Sequence, residues 1–261
     1  MSTSNATSSW LASYKPNPEA ALRLFCFPYA GGAASIFRQW ADALPPTVEV
    51  CPVQLPGRDR RWRETPYTNL RLLIEALARE LRDYWQQPFA FFGHSMGALI
   101  VFELARRLRA EHQVEPVHLF VSGRRAPQLK GQEAVTYNLP RAEFIEELRR
   151  LNGTPAEVLE QPELMGLMLP VLRADFEMVQ TYAYRDEPPF ACPINAFGGL
   201  QDIEASREEL DAWREQTTGA YSLRMLAGDH FFLNQAQPLL LEMLSQQLSR
   251  SIRERLGPAH R

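Results

Sequence analysis

Apolar positions along this chain fall into two kinds of run that alternate. The short, nearly unbroken ones are RLFCFPYAGG (23–32), which enters a glycine loop, VEVCPVQLPG (48–57), FAFFG (89–93), VHLFVSG (117–123), PINAFGG (193–199) and SLRMLAG (222–228). They are β-branched or aromatic with little polar alternation, the pattern of strands buried on both faces. The longer runs are periodic. LRLLIEALARELRDYW (70–85) repeats Leu70, Leu73, Ile74, Leu77, Leu81 and Trp85 at helical spacing. SIFRQWADAL (35–44) predicts a helix with Ser35 as its N-cap. A helix that is apolar almost all round starts at Met96, and a last one covers 238–253. Strands alternating with crossover helices predict an α/β fold with a parallel sheet covered on both faces.

One stretch breaks the alternation. Between Gly123 and Pro193 only helical signals occur: LPRAEFIEELRRL with Pro140 in its first turn, Thr154 and Glu157 at capping-box spacing, and the Met-rich PELMGLMLPVLRADFEMVQTYAY, which Pro170 is expected to kink. The expected division is a flexible lead-in at 1–20, a core of 21–123 and 191–254, a helical insertion at 124–190 above the sheet, and a tail at 255–261.

Composition narrows the function. With 261 residues and 45% hydrophobic positions the chain can build a large core, and a net charge of −3 with both signs dispersed argues against nucleic-acid binding. Cys26, Cys51 and Cys192 lie in or beside apolar runs with no CxxC pair and no histidine at metal-ligand spacing, so they read as reduced core residues, and no metal or cofactor is expected. The N-terminus lacks the basic start and apolar stretch of a signal peptide. Residues 89–105 are apolar but carry His94, Ser95 and Glu103, which a bilayer would reject. A cytoplasmic monomer that makes no membrane contact is the expectation.

The chemistry centres on FFGHSMG (91–97). Gly-x-Ser-x-Gly between a strand and a helix is the nucleophile elbow, in which small residues on both sides let a strained turn expose the serine hydroxyl. Ser95 then needs a base and a group that orients the base, in the chain order Ser, Asp or Glu, His, each after a later strand. Asp202 follows the strand at 193–199 and His230 follows the last strand. Glu204 is the alternative acid, Asp229 reads as a loop-shaping residue, and Asp186 falls in the insertion. His94 reads as packing or as a support behind the reacting groups, and His112, His118 and His260 as structural. Acyl transfer also needs N–H donors for the oxyanion. The elbow offers the N–H of Met96, and PYAGGAAS (28–35) that of Ala30, unless AGG is simply a tight turn.

FPYAGG, QLPGR (54–58), GHSMG, SGRRAP (122–127), the GxxD at 199–202 and GDHFFL (228–233), in this order, resemble the type II thioesterases. These are stand-alone α/β-hydrolases associated with polyketide synthases and non-ribosomal peptide synthetases. The resemblance spans about residues 20–250. It implies an α/β-hydrolase fold, mainly parallel sheet flanked by helices, with the insertion as a mobile lid. It also implies a Ser95, Asp202 and His230 triad and a substrate held as a thioester on the phosphopantetheine arm of an acyl or peptidyl carrier protein, from which aberrant acyl groups are removed. The acid loop reads Asp202-Ile203-Glu204-Ala205 rather than Asp-Pro or Asp-x-x-Val, a departure that leaves the acid in place.

On this reading Met165, Met168, Leu169, Leu172, Phe176, Met178 and Val179 would offer an adaptable apolar lining, or else pack the helix onto the sheet. Arg58, with Arg60, Arg61 and Arg63, could meet the arm's phosphate or an acidic carrier surface, or form a solvated, ion-paired face. Phe231 and Phe232 would position the base loop. Competing readings are a medium-chain fatty-acyl thioesterase, a general carboxylesterase or lipase, a cyclising transferase, and a binding protein on the hydrolase fold. The last usually lacks a triad member.

Overall fold

The computed structural model describes residues 8–11, 16–129, 135–154 and 156–256. Among them β1 (Leu22–Phe27), β2 (Val48–Pro52), β3 (Phe89–His94), β4 (His118–Ser122), β5 (Ile194–Gly199) and β6 (Tyr221–Leu226) form one sheet in the order β2-β1-β3-β4-β5-β6. Every pairing is parallel, with Phe27 level with Gly93 and His94 level with Ser122. The helices in chain order are α1 (Trp40–Ala43), α2 (Leu70–Glu80), α3 (Met96–His112), α4 (Arg141–Leu151), α5 (Ala156–Leu159), α6 (Pro162–Gln180), α7 (Arg207–Asp211), α8 (Phe232–Gln235) and α9 (Gln237–Leu256).

Strand side chains alternate between two apolar layers, which is why the strands show no polar alternation. Phe25, Phe27, Phe89 and Phe91 face the layer built with α2 and α3. Leu24, Cys26, Ala90 and Phe92 face the layer built with Trp40 and the Leu240, Leu244 and Leu248 stripe of α9. Fully burying one such phenylalanine contributes roughly 1.5–3 kcal/mol relative to exposure. All three cysteines are free and buried, and burial pushes the Cys192 thiol up to about 12. No helix among the described residues is long and apolar enough to cross a membrane.

Three expectations are corrected. Residues 35–44 do not form one helix capped by Ser35: a 3-10 turn over Ala34–Phe37, with Ala33 as its N-cap, precedes α1. The entering N–H of Ala34 is taken by the Gln54 side chain at 3.1 Å, so a residue remote in sequence does the capping. The periodic run at 70–85 is α-helical only to Glu80 and ends in a 3-10 turn, with Trp85 donating its indole N–H to the Ala78 carbonyl at 3.3 Å. The lead-in is anchored where it is described: Trp10 and Leu11 are buried, Leu11 bridges Val53, and the Arg61 guanidinium lies 4.1 Å from the centre of the Trp10 ring.

Among the described residues between β4 and β5 the regular elements are all helices, as the sequence pattern predicts. α4, α5 and α6 share a small core of Phe144, Leu148, Leu159, Met165, Leu169 and Leu172. Pro170 lies inside α6, where it cannot donate to the preceding turn. The capping box expected at Thr154 and Glu157 includes Pro155, which lies outside the described residues.

Candidate active site

From β1 the chain moves outward to β2, then returns to place β3 on the other side of β1. The crevice beyond the carboxyl ends of strands at such a reversal is where ligands bind in open α/β sheets. Ser95 lies there, on the corner between β3 and α3, with φ 54° and ψ −112°. Its flanking residues must be glycine. A Cβ on Gly93 would run into the carbonyl of Gly97, and one on Gly97 into the carbonyl of Phe27. The corner is tied to the next strand by the Ser95 N–H, which donates to the Ser122 carbonyl at 2.7 Å.

The loops after β5 and β6 bring Asp202 and His230 together. His230 Nδ1 lies 2.9 Å from Asp202 Oδ2 and 3.1 Å from Oδ1. The Asp202 side chain is fully buried and the His230 ring nearly so. An ionised carboxylate only accepts, so Nδ1 carries the hydrogen and Nε2 is left with a free lone pair. Ser95 and His230 line one cleft of about 270 Å³, together with Ala30 and Met96. Glu204, the alternative acid, instead reaches Arg150 at 3.0 Å. Asp229 accepts the Phe231 N–H at 2.9 Å, and Phe231 packs edge-on against the His230 ring.

His94 is buried beneath the site, its Nδ1 2.8 Å from Ser122 Oγ and its ring 5.3 Å from that of His230. Burial, and then the neighbouring His230, hold its pKa well below the usual histidine range, so it stays neutral. His118 contacts Asn195 and Ser251, and burial pushes it down to about 4. His112 is exposed, and His260 lies outside the described residues.

The two candidate oxyanion donors sit on different supports. Met96 is the first residue of α3, where a helix terminus presents free N–H groups. Ala30 precedes Gly31, whose φ of 75° suits glycine. The Gly31 N–H donates to Asp175 Oδ2 at 2.7 Å, and Arg58 grips the same carboxylate with two bonds of 2.8 Å.

Two groups of substrate-facing residues are therefore corrected. Arg58 is buried and committed to Asp175, so it does not present a free cation to a phosphate. Arg61 is buried against Glu64 and Trp10, whereas Arg60 and Arg63 are exposed. Met165 and Met168 pack against α4 and α5 within the helical segment's own core, and Met178 joins the core beneath the sheet-facing side. The α6 residues that line the cleft are Leu172, Phe176, Val179 and Gln180. The first three recur at helical spacing on one face and line the same cleft as Ser95.

Asp175 is the buried charge at this site that the sequence pattern did not single out. Its signal is an acid within the apolar stretch of α6, between Leu172 and Phe176, where a carboxylate must find a cationic partner or a set of N–H donors.

A thioesterase domain model matches residues 22–248. The gramicidin S biosynthesis protein GrsT of Aneurinibacillus migulanus is 50% identical over 239 residues, 92% of this chain and 93% of that protein. Among solved structures, the type II thioesterase BorB from the borrelidin biosynthetic cluster superposes with a TM-score of 0.83 at 37% identity, covering 94% of this chain and 98% of that one. YbtT, a type II thioesterase from the yersiniabactin NRPS/PKS biosynthetic pathway, superposes with a TM-score of 0.81 at 31% identity, covering 92% and 98%.

Proposed function

The chain belongs to the thioesterase domain family and is a thioester hydrolase, and we propose that it removes acyl groups from the phosphopantetheine arm of acyl or peptidyl carrier proteins in polyketide or non-ribosomal peptide synthesis. The observation that carries the chemistry is the buried Asp202 carboxylate on His230 Nδ1, in a cleft that Ser95 shares. Likeness to GrsT, BorB and YbtT supports the assembly-line substrate over the medium-chain fatty-acyl and carboxylesterase readings.

In this reading His230 Nε2 takes the Ser95 hydroxyl proton as Oγ attacks the thioester carbonyl carbon. Asp202 holds the imidazole in the tautomer with a free Nε2 and stabilises the imidazolium that forms. The tetrahedral oxyanion rests on the N–H groups of Ala30 and Met96. When the C–S bond breaks, His230 returns the proton to the departing thiol, and the acyl-serine remains. A water molecule, deprotonated by His230, then attacks the acyl-serine through a second tetrahedral intermediate; the C–Oγ bond breaks, His230 returns the proton to Ser95 Oγ, and the acid is released. A thiol leaves easily, so stringency rests on access and acyl shape, which Leu172, Phe176 and Val179 set from the helical segment above. That segment, 124–190, acts as the lid, and a cytoplasmic monomer editing stalled carriers fits the three buried free thiols.

The test is intact-protein mass spectrometry of an acetyl- or butyryl-loaded carrier protein, with the matching acyl-coenzyme A and an oxygen ester run in parallel. Acyl loss from the carrier should outpace both small substrates and fall at least about a thousand-fold in Ser95→Ala. Cleavage of the oxygen ester alone, or full activity in Ser95→Ala, would overturn the reading.

A further inference from the structure

The QLPGR stretch has no part in the chemistry above, yet its two polar side chains turn inward beneath the loop that carries Ala30. Gln54 accepts the Ala34 N–H at 3.1 Å and donates to the Arg58 carbonyl at 3.1 Å. Arg58 donates to the Gly32 carbonyl at 3.2 Å and, with both terminal nitrogens, to Asp175. Asp175 in turn accepts the Gly31 N–H at 2.7 Å. Residues 31, 32 and 34 are thus each held by a buried side chain, and the peptide that follows Ala30 has its N–H fixed by a carboxylate.

From this geometry we infer that Arg58 and Asp175 are a positioning pair that aims the Ala30 N–H at the oxyanion and makes its aim depend on α6. The inference rests on the assignment of Ala30 above. Asp175 is 1% exposed and Arg58 7%, so a desolvated ion pair is spent on a loop where neutral packing would have sufficed for stability alone. Asp175 lies three residues after Leu172 and one before Phe176, which line the acyl cleft. Leu172 also packs on the same turn: a Cβ on Gly31 would lie 2.6 Å from its Cδ2. An acyl group seated against Leu172 and Phe176 therefore bears on the helix that anchors the oxyanion loop. Acyl fit and transition-state stabilisation become one event, and a poorly fitting acyl group loses rate rather than only affinity.

Asp175→Asn keeps the shape and removes the charge. Its kcat should fall roughly 10- to 100-fold with KM within about twofold of wild type, as expected when an oxyanion donor is misaimed rather than a substrate contact removed. Affinity for a trifluoromethyl ketone acyl analogue, which forms a tetrahedral adduct with Ser95, should fall by the same factor. Arg58→Gln with Asp175→Asn, a neutral amide pair, serves if the single variant does not fold, and should show the same kcat loss. Each is measured on the acyl-carrier thioester and on p-nitrophenyl acetate. Wild type that turns over only the ester would sink the carrier substrate while leaving the pair testable on the ester. Unchanged kcat in a folded variant, or a rise in KM with kcat held, would overturn the positioning role.

Discussion

The two walls of the cleft are built differently. The sheet edge holds Ser95, Asp202 and His230 on turns fixed by backbone: glycines that admit no Cβ, and a Ser95 N–H bonded to Ser122. The helical segment above carries the apolar lining on α6 and touches the edge through side chains. One touch is the buried Asp175 to Gly31 and Arg58; another is an exposed set, with Arg150 on Glu204 at 3.0 Å and Asn152 on Asp229 at 2.9 Å. The difference teaches where each property resides. In the proposed reaction the reacting groups sit on turns just past the strand ends, whereas selectivity would sit on a layer with a small core of its own.

The sharpest break in this comparison is on the sheet side, in Asp202→Asn. An amide donates to His230 Nδ1 and stabilises the tautomer whose Nε2 already bears hydrogen, so the base is lost while the geometry stays. kcat should fall by about 10⁴-fold with the thermal midpoint nearly unchanged. Steady-state turnover beside a melting curve checks both. A comparable kcat loss on changing Glu204 instead would move the acid two residues along the loop.

How much of this was legible follows the same divide. Strand runs, the alternation and the elbow were readable because burial on both faces and the close approach of Gly93 and Gly97 leave marks at short range in sequence. The order Ser95, Asp202, His230 is the one that goes with a nucleophile elbow, and a parallel sheet puts the loops after those strands on one side. Contacts between distant segments were not readable. Arg58 looked like one of four arginines in a surface cluster, since nothing local reveals a partner 117 residues away. Met165 looked like lining because a single helix pattern cannot say which neighbour covers which turn, and α4 with α5 cover that one. Trp10 and Leu11 looked like a lead-in because two apolar residues among serines carry no period.

Acid should separate the two walls next. His118 sits on β4 with its pKa depressed to about 4 by burial, below an unfolded value near 6.5. The unfolded chain therefore binds a proton first, so this stability is complete above pH 6.5 and is lost as pH falls towards 4. His94, held neutral under Ser95, acts in the same direction, and the segment 124–190 has no histidine at all. Urea midpoints at pH 7 and pH 4.5 should differ, with His118 alone contributing at most about 3 kcal/mol. His118→Gln should flatten the slope. An unaltered slope in that variant would assign the acid sensitivity elsewhere.

The smallest effect belongs to the exposed contact. Arg150 and Glu204 are about half and one third exposed, so their attraction is screened and offset by side-chain ordering. Arg150→Ala should cost less than about 1 kcal/mol of stability and fade further in high salt. Its consequence should be kinetic instead. Glu204 donates its N–H to Asp202 Oδ1 at 2.8 Å, so the contact ends on the loop that holds the acid, yet that loop is also fixed by Gly199 against the base turn. Losing Arg150 removes one of the two exposed contacts that hold α4 to this edge without moving Asp202, so entry of a bulky carrier-bound acyl group should quicken while turnover of a small oxygen ester stays the same. Equal changes on both substrates would show that the exposed contact supports the chemistry, and the two walls would then be less separate than their construction implies.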